Sequence, residues 1–329
     1  MKFDALFEAG FKELGARFFL IAFLPILSVA LLIVSLDASG APDAPPSWAR
    51  FVRAMNDFDL TKWVGLIFVV LVLAFVTMPL QDALVRIVEG YWGRLATGGL
   101  GRCCVRYQQG KRAKLVDAVQ NLPDNPTASQ KLSTDSAARR LSKYYPSDAD
   151  RVLPTGLGNA LRAAEDLATS RYGLDAVVMW PRLYPYIDAA LGGLVDSARN
   201  QFDVSIRLVP TFVICAAVSL GFLHGHGVWL AMPAGFALMA ILGYRASIEA
   251  AAAFGVVMNA AIDLHRFDML EGLHLPMPAD LDAEKTSNRA ISDFLRQGIA
   301  HGLPYAHPPK PEPHGGGADA GGQAGISGG

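Results

Sequence analysis

The sequence predicts an all-α, polytopic membrane protein: four transmembrane helices with a mostly helical cytoplasmic insert and long cytoplasmic helical extensions. Of the 329 residues, 52% are hydrophobic and 18% are charged, and the apolar excess is concentrated in four blocks. Two blocks form a predicted hairpin at 205–248, whose uncharged arms of about 17 residues would each span roughly 26 Å as helix. Amphipathic helical spacing recurs outside the blocks.

The chain begins with a predicted amphipathic helix at 1–17. Phenylalanines recur there at helical spacing, and charged residues fill the opposite face. Such a helix either lies in the headgroup layer or packs on the soluble part of its own chain. The first apolar block, 18–36, follows, and Pro25 predicts a kink in it. Because this block exceeds a typical signal core and follows an acidic as well as basic region, it indicates a retained anchor rather than a cleaved signal.

The first transmembrane hairpin is predicted for 18–93. Its short external connector, 37–62, opens with glycine and prolines and then carries a small amphipathic helix that places Trp48 at interface depth. The second apolar block, 64–80, runs on into a surface helix at 81–93. The charges of this surface helix share one face, which is typical of a helix leaving the membrane along its surface.

The segment 94–204 is predicted to be a basic, mostly helical cytoplasmic insert. Between 81 and 145 there are eleven Lys or Arg and five acidic residues, whereas the hairpin corner has no Lys or Arg. This bias predicts that the insert and both termini are cytoplasmic. The polar, turn-rich stretch 123–136 is predicted to be a loop or hinge. A helix is predicted at 156–171, and the short apolar run 175–180 is compatible with either a helical turn or a lone strand.

A cytoplasmic helical extension is predicted for 249–303. No proline stands between Pro233 and Pro276, so one helix of about 42 residues, roughly 63 Å, is permitted. The four alanines at 250–253 would allow close approach to another helix. A last helix at about 280–298 precedes 304–329, a Pro/Gly-rich tail that is predicted to be disordered.

The sequence predicts no catalytic, cofactor-binding or metal site and no cofactor. His224 and His226 supply too few ligands for a metal. A second polar cluster has metal-ligating residue types, but its members spread around a helix and indicate a solvated face. These residues are Asp263, His265, Asp268, Glu271 and His274. The three cysteines, at 103, 104 and 215, have no metal spacing.

The predicted partners begin with the lipid bilayer. The basic segment 86–114 would attract anionic headgroups. A homo-oligomer and an unidentified protein partner are also expected. Nucleic acid is not expected as a partner, because the chain has no helix-turn-helix pattern and no basic stretch interleaved with aromatic residues.

Four stretches carry a family resemblance. They are LVRIVEGYWG at 84–93, RVLPTGLGNALRAAED at 151–166, RYGLDAVVMWPRL at 171–183 and DLHRFD at 263–268. Together they resemble a family of uncharacterised bacterial multi-pass membrane proteins, common in actinobacteria. The resemblance implies four transmembrane helices and the bacterial inner membrane, and it brings no assigned activity.

The leading functional prediction is non-enzymatic: a membrane-anchored scaffold or sensor that presents a cytoplasmic helical surface to a protein partner or to itself. The alternative is an oligomeric channel or permeability factor. The polar residues of the apolar blocks that could line its pore are Thr77, Thr211 and Ser219. A third prediction is a membrane-interface enzyme acting on lipid, with residues around Arg182 or His265.

Overall fold

Helices make up the regular secondary structure throughout the part of the chain that the structure describes, and that part contains no strand. The computed structural model describes residues 18–77, 80–93, 98–123, 125–299 and 302–307. The helix predicted at 1–17 and most of the predicted tail at 304–329 lie outside these residues. The all-α prediction is confirmed for the described chain.

The helices follow one another with short connections. In chain order they are α1 (Leu24–Ser39), α2 (Trp48–Asn56), α3 (Leu60–Thr77), α4 (Gln81–Glu89), α5 (Gly99–Gln120), α6 (Ala128–Tyr144), α7 (Gly156–Tyr172), α8 (Ala176–Leu183), α9 (Ala189–Leu223), α10 (Ala231–Gly272) and α11 (Leu281–Gln297).

Three described helices are long and apolar enough to cross a membrane: α3, α9 and the run Gly227–Gly272 that contains α10. The first apolar block forms the shorter helix α1, which a π-helical turn at Phe19–Phe23 precedes. Pro25 stands in the first turn of α1. The π-helical turn thus passes into α-helix at Leu24, directly before Pro25, and the kink expected at Pro25 stays a prediction.

Two turns lie together at one end of the bundle. Leu36 and Ala41, at the end of α1 and just beyond it, form a small buried cluster with Leu223 at the end of α9. The ring Nε2 of His226 lies 2.7 Å from the carbonyl oxygen of Pro42. Helices α1 and α9 therefore run side by side in the same direction, toward the same end of the molecule.

The two longest helices are continuous. Helix α9 has 35 residues and begins where the Asp188 carboxylate accepts the Leu191 N–H; its amphipathic first half passes directly into its apolar second half. Helix α10 has 42 residues, the length that the spacing of prolines permitted. The predicted last helix is also present as α11.

A packed helical region lies at the other end of the bundle. We call helices α5 to α8, α11, the first half of α9 and the second half of α10 the helical body. Its main core contains buried side chains from α7 to α11 and from the connections that follow α7 and α10. They include Leu174, Met179, Leu183, Ile262, Met269 and Ile291. The helical body is thus built on the extensions of the apolar helices.

The open choice at 175–180 is decided in favour of a helix. The carboxylate of Asp175 caps α8 by accepting the N–H groups of Val177 and Val178. Met179 and Leu183 of α8 then enter the core.

The loop predicted at 123–136 is wrong for most of its length, since α6 begins at Ala128. Thr127 and Gln130 form a reciprocal capping box at its start. Polar and turn-favouring residues on the solvent face obscured the helix, while Ala137 is buried on the inner face. The capping box was the sequence signal that marked this helix.

The alanine-rich segment of α10 approaches another helix of the same chain. Ala250 and Ala251 share a buried cluster with Leu157 and Ala160 of α7. A Cβ at Gly255 would overlap the side chain of Ala164. The close approach that small residues permit is therefore used within the chain.

Candidate functional site: a basic cavity at the end of the apolar helices

An open cavity of about 770 Å³ lies where α5, α6 and the start of α7 meet α10. This volume falls in the range of small-molecule sites. The lining residues are Gln108, Lys111, Lys114 and Leu115 of α5, Arg140 and Tyr144 of α6, Tyr145, Gly156 of α7, and Ile241, Tyr244, Arg245, Ile248 and Glu249 of α10. We call this space the basic cavity.

The basic cavity stands at a boundary along α10. No Asp, Glu, Lys or Arg occurs from 227 to 244, and Arg245 is the first charged residue after the corner. Ile241 contributes to the cavity from the apolar side of this boundary, and Glu249 from the charged side. The wall that α10 forms is therefore apolar toward Ile241 and charged from Arg245 to Glu249.

Glu249 supplies a carboxylate to the cavity lining, and two neighbours from α6 bind it. The Tyr144 hydroxyl donates to Glu249 Oε1 at 2.6 Å, and Lys143 Nζ lies 2.9 Å from Oε2. The hydrogen bond from Tyr144, and then the one from Lys143, lower the pKa of Glu249. Bonds to Tyr144 and Glu249 in turn raise the pKa of Lys143. The negative charge of Glu249 is thus matched by a lysine.

The remaining charges of the cavity are positive: Lys111, Lys114, Arg140 and Arg245. None of these four forms an ion pair with a carboxylate of the described residues. The Lys111 ammonium lies over the ring of Tyr107, 4.5 Å from its centroid. All four side chains are exposed, so a ligand can reach them.

Three tyrosines line the cavity, and their hydroxyls have different partners. The Tyr145 hydroxyl donates to Gln108 Oε1 at 3.1 Å, and burial raises the pKa of Tyr145, against the opposing effect of Lys111. The Tyr244 hydroxyl accepts the N–H of Gly156 at 3.0 Å. An accepting hydroxyl retains its own proton to donate, and that proton is available to a ligand of the cavity.

A second group of titratable residues lies outside the basic cavity, where α4 meets α7. The Thr155 hydroxyl donates to the carbonyl oxygen of Glu89. Burial, and then the proximity of Glu165, raise the pKa of the Glu89 carboxyl to about 7, although Arg86 opposes the shift. Burial also raises the pKa of Glu165.

The two corner histidines do not converge on a common point. The Nδ1 of His224 lies 3.0 Å from the Gly221 carbonyl oxygen, while His226 lies against Pro42. No group of three or more metal-ligating side chains occurs among the described residues.

The polar cluster predicted as a solvated face is only partly solvated. His265 is mostly buried, with Nδ1 at 2.9 Å from Asp268 and Nε2 at 3.6 Å from Asp188. Asp263 accepts the Tyr172 hydroxyl at 2.8 Å. These contacts fasten the second half of α10 to neighbouring segments. Helical periodicity predicted a spread around the helix, but it could not supply the partners Asp188 and Tyr172 from elsewhere in the chain.

The sequence contained the basic residues of the cavity without indicating that they meet. Lys111, Lys114 and Arg140 belong to the basic stretch 81–145, and Arg245 directly follows the last apolar block. The roles of Tyr144 and Tyr244 were missed. The adjacent Tyr144-Tyr145 pair, following Arg139-Arg140, was the local signal that could have drawn attention to this region.

Comparisons of the chain with family models, with curated proteins and with solved structures gave no match.

Proposed function

We propose that this protein is a membrane-anchored scaffold or sensor that presents its helical body, on the cytoplasmic side, to a protein partner or to a second copy of itself. The observation that carries the proposal is the continuity of α9 and α10. Each passes unbroken from an uncharged stretch into the core of the helical body. A displacement at either end is therefore transmitted along a helix rather than lost in a linker.

The proposed topology has four spans with both termini in the cytoplasm. The fourth span is the helical run 18–39, which runs beside α9 in the same direction. At about 1.5 Å per residue it is long enough to cross a bilayer core. The basic bias of 81–145 supports the orientation, and the resemblance to uncharacterised bacterial membrane proteins suggests the inner membrane.

The channel alternative has less support. A polar pore needs side chains that face its lumen. The hydroxyl of Thr211 instead donates to the Arg207 carbonyl at 2.8 Å, and that of Ser219 to the Cys215 carbonyl at 2.6 Å. An enzyme acting on lipid remains a third candidate, but the Arg182 guanidinium donates to the Val178 carbonyl of its own helix.

Site-specific photocrosslinking in native membranes tests the scaffold proposal. A photoreactive amino acid is placed at an exposed position of the helical body, Leu132, Val177 or Val256. The matched control is Val228, which is exposed at the corner between α9 and α10. We expect a discrete protein adduct from at least one body position and none from Val228.

An adduct with the chain itself would assign the surface to a homo-oligomer, and Val256 on α10 is the position that tests this version. The scaffold proposal would be contradicted if all three body positions gave only lipid adducts, in the same yield as the control position Val228. Point replacements are preferable to deletion of the insert, because residues of α7 and α8 belong to the core of the helical body.

A further inference from the structure

We propose that the basic cavity binds the phosphate group of an anionic phospholipid in the leaflet that faces the helical body. This inference rests on the proposed function, because it places the helical body at a membrane surface. It adds a ligand of defined chemistry and the residues that bind it.

The charge of the cavity indicates an anion. Lys111, Lys114, Arg140 and Arg245 surround the space, whereas the charge of Glu249 is already matched by Lys143. These like charges repel one another across the open cavity, and an anion between them offsets this repulsion. Arginine donates in a fork that fits two phosphate oxygens, and lysine adds a point charge.

The hydrogen-bonding groups favour an oxyanion. The Tyr244 hydroxyl accepts an N–H from the first turn of α7 at 3.0 Å, which leaves its proton for an acceptor in the cavity. The hydroxyls of Tyr144 and Tyr145 are committed to Glu249 and Gln108. The cavity thus offers one hydroxyl donor together with four cationic donors.

The position of the cavity along α10 favours a lipid as the source of the phosphate. Ile241 belongs to the uncharged stretch of α10, and Arg245 is the first charged residue after that stretch. A phospholipid has the same order of groups, because its acyl chains end where its phosphate begins. A soluble phosphate ester presents the same oxyanion, so the experiment must separate these two sources.

Native mass spectrometry of the purified full-length protein measures the binding of phosphatidylglycerol, with phosphatidylcholine as the zwitterionic reference. The test variant is Lys114→Gln/Arg140→Gln/Arg245→Gln. The charge-matched control is Lys131→Gln/Arg139→Gln/Arg289→Gln, whose three exposed residues lie outside the cavity lining. Each cation near a membrane surface contributes about fivefold in affinity, so we expect a loss of roughly 100-fold in the test variant.

A second variant, Lys114→Arg/Arg140→Lys/Arg245→Lys, keeps the charge and should retain most of the affinity, which separates loss of charge from loss of fold. Tyr244→Phe, made in the otherwise unchanged protein, should also weaken binding, because it removes the hydroxyl donor and leaves the charge unchanged. Equal binding of the two lipids, or equal losses in the test variant and the charge-matched control, overturns the proposal.

Competition with inorganic phosphate and glycerol 1-phosphate identifies the source. Retained lipid at millimolar competitor supports a phospholipid; complete displacement overturns the lipid assignment and points to a soluble phosphate ester. Failure here is distinguishable from failure of the scaffold proposal, because protein adducts at Leu132, Val177 or Val256 do not depend on lipid selectivity.

Discussion

Glu89, at the end of α4, links the protonation state of one carboxyl to the stability of the fold. Burial and the nearby Glu165 raise its pKa from 4.5 to about 7. The folded chain therefore binds this proton more tightly than the unfolded chain. The resulting contribution to the free energy of unfolding is fully present below about pH 4.5 and is lost as the pH rises through about 7.

Glu89→Gln should flatten this pH dependence. We expect the fall in the free energy of unfolding between about pH 5 and about pH 8 to shrink by on the order of 1–2 kcal/mol, since the carboxyl is partly solvated. Denaturant titrations at several pH values in one detergent measure the free energy of unfolding. The control is Glu271→Gln, at an exposed position of α10. An unchanged pH slope in Glu89→Gln would count against the role of this carboxyl.

Arg266 and Glu284 form a buried ion pair that fastens α11 to α10. Arg266 Nε donates to Glu284 Oε1 at 2.8 Å, and the two side chains are 16% and 4% exposed. Arg266→Met leaves the Glu284 carboxylate buried without its partner, which should cost about 3–5 kcal/mol of unfolding free energy. Arg266→Met/Glu284→Met should recover most of that loss, because no unpaired charge remains.

A double-mutant cycle in denaturant titrations measures the coupling of this pair. If Arg266→Met alone were as stable as the double variant, the pair would not hold α11 in place. The sequence contained both residues, but their pairing was not readable from it, because they lie on separate helices.

At the scale of elements, close approach of α4 and α7 depends on Gly158. A Cβ at this position would overlap the carbonyl oxygen of Glu89. Gly158→Ala should therefore lower the free energy of unfolding by about 1–3 kcal/mol through overpacking, although alanine is the better helix former.

Gly192→Ala is the matched control, because Gly192 also lies in the first turns of a helix and a Cβ there would meet no neighbouring atom. It should leave stability unchanged or raise it by up to about 1 kcal/mol. Denaturant titration of the two variants compares them directly; equal stability would mean that α4 does not dock on α7 as described.

Long elements were easier to predict than short polar ones. The length of α10 followed from the absence of proline between Pro233, which lies in its first turn, and Pro276, because proline is the main interruption of a helix. Helix α6 was mistaken for a loop in its first part, because its residues favour solvent and turns when they are considered without their neighbours. Packing of its buried face, including Ala137, decides its conformation.

At the scale of the whole molecule, the proposed topology predicts which surfaces a membrane-impermeant reagent reaches. In a background with Cys103, Cys104 and Cys215 replaced, a single cysteine is introduced by Val228→Cys or by Leu132→Cys. Intact cells should label Val228→Cys, and Leu132→Cys should react only after permeabilisation. Both positions are exposed, so a difference reports the side of the membrane rather than burial.

The same labelling tests the fourth span. A cysteine at Pro42, beside the corner between α9 and α10, should label from outside like Val228→Cys. Labelling of Pro42→Cys only after permeabilisation would contradict a span formed by 18–39. If intact cells labelled Leu132→Cys but not Val228→Cys or Pro42→Cys, the orientation in the membrane would be the opposite of the one proposed.

The sequence by itself determined the helical class, the apolar blocks, the long α10 and the final helix, because each depends on local periodicity and on the placement of proline. It left the conformation of 175–180 open, mistook the start of α6 and could not assemble the basic cavity. Those features depend on contacts between distant positions, such as Lys143 with Glu249, whose numbers differ by 106. Local pattern fixes which residues can be helical, whereas only tertiary packing brings unpaired charges from α5, α6 and α10 around one space.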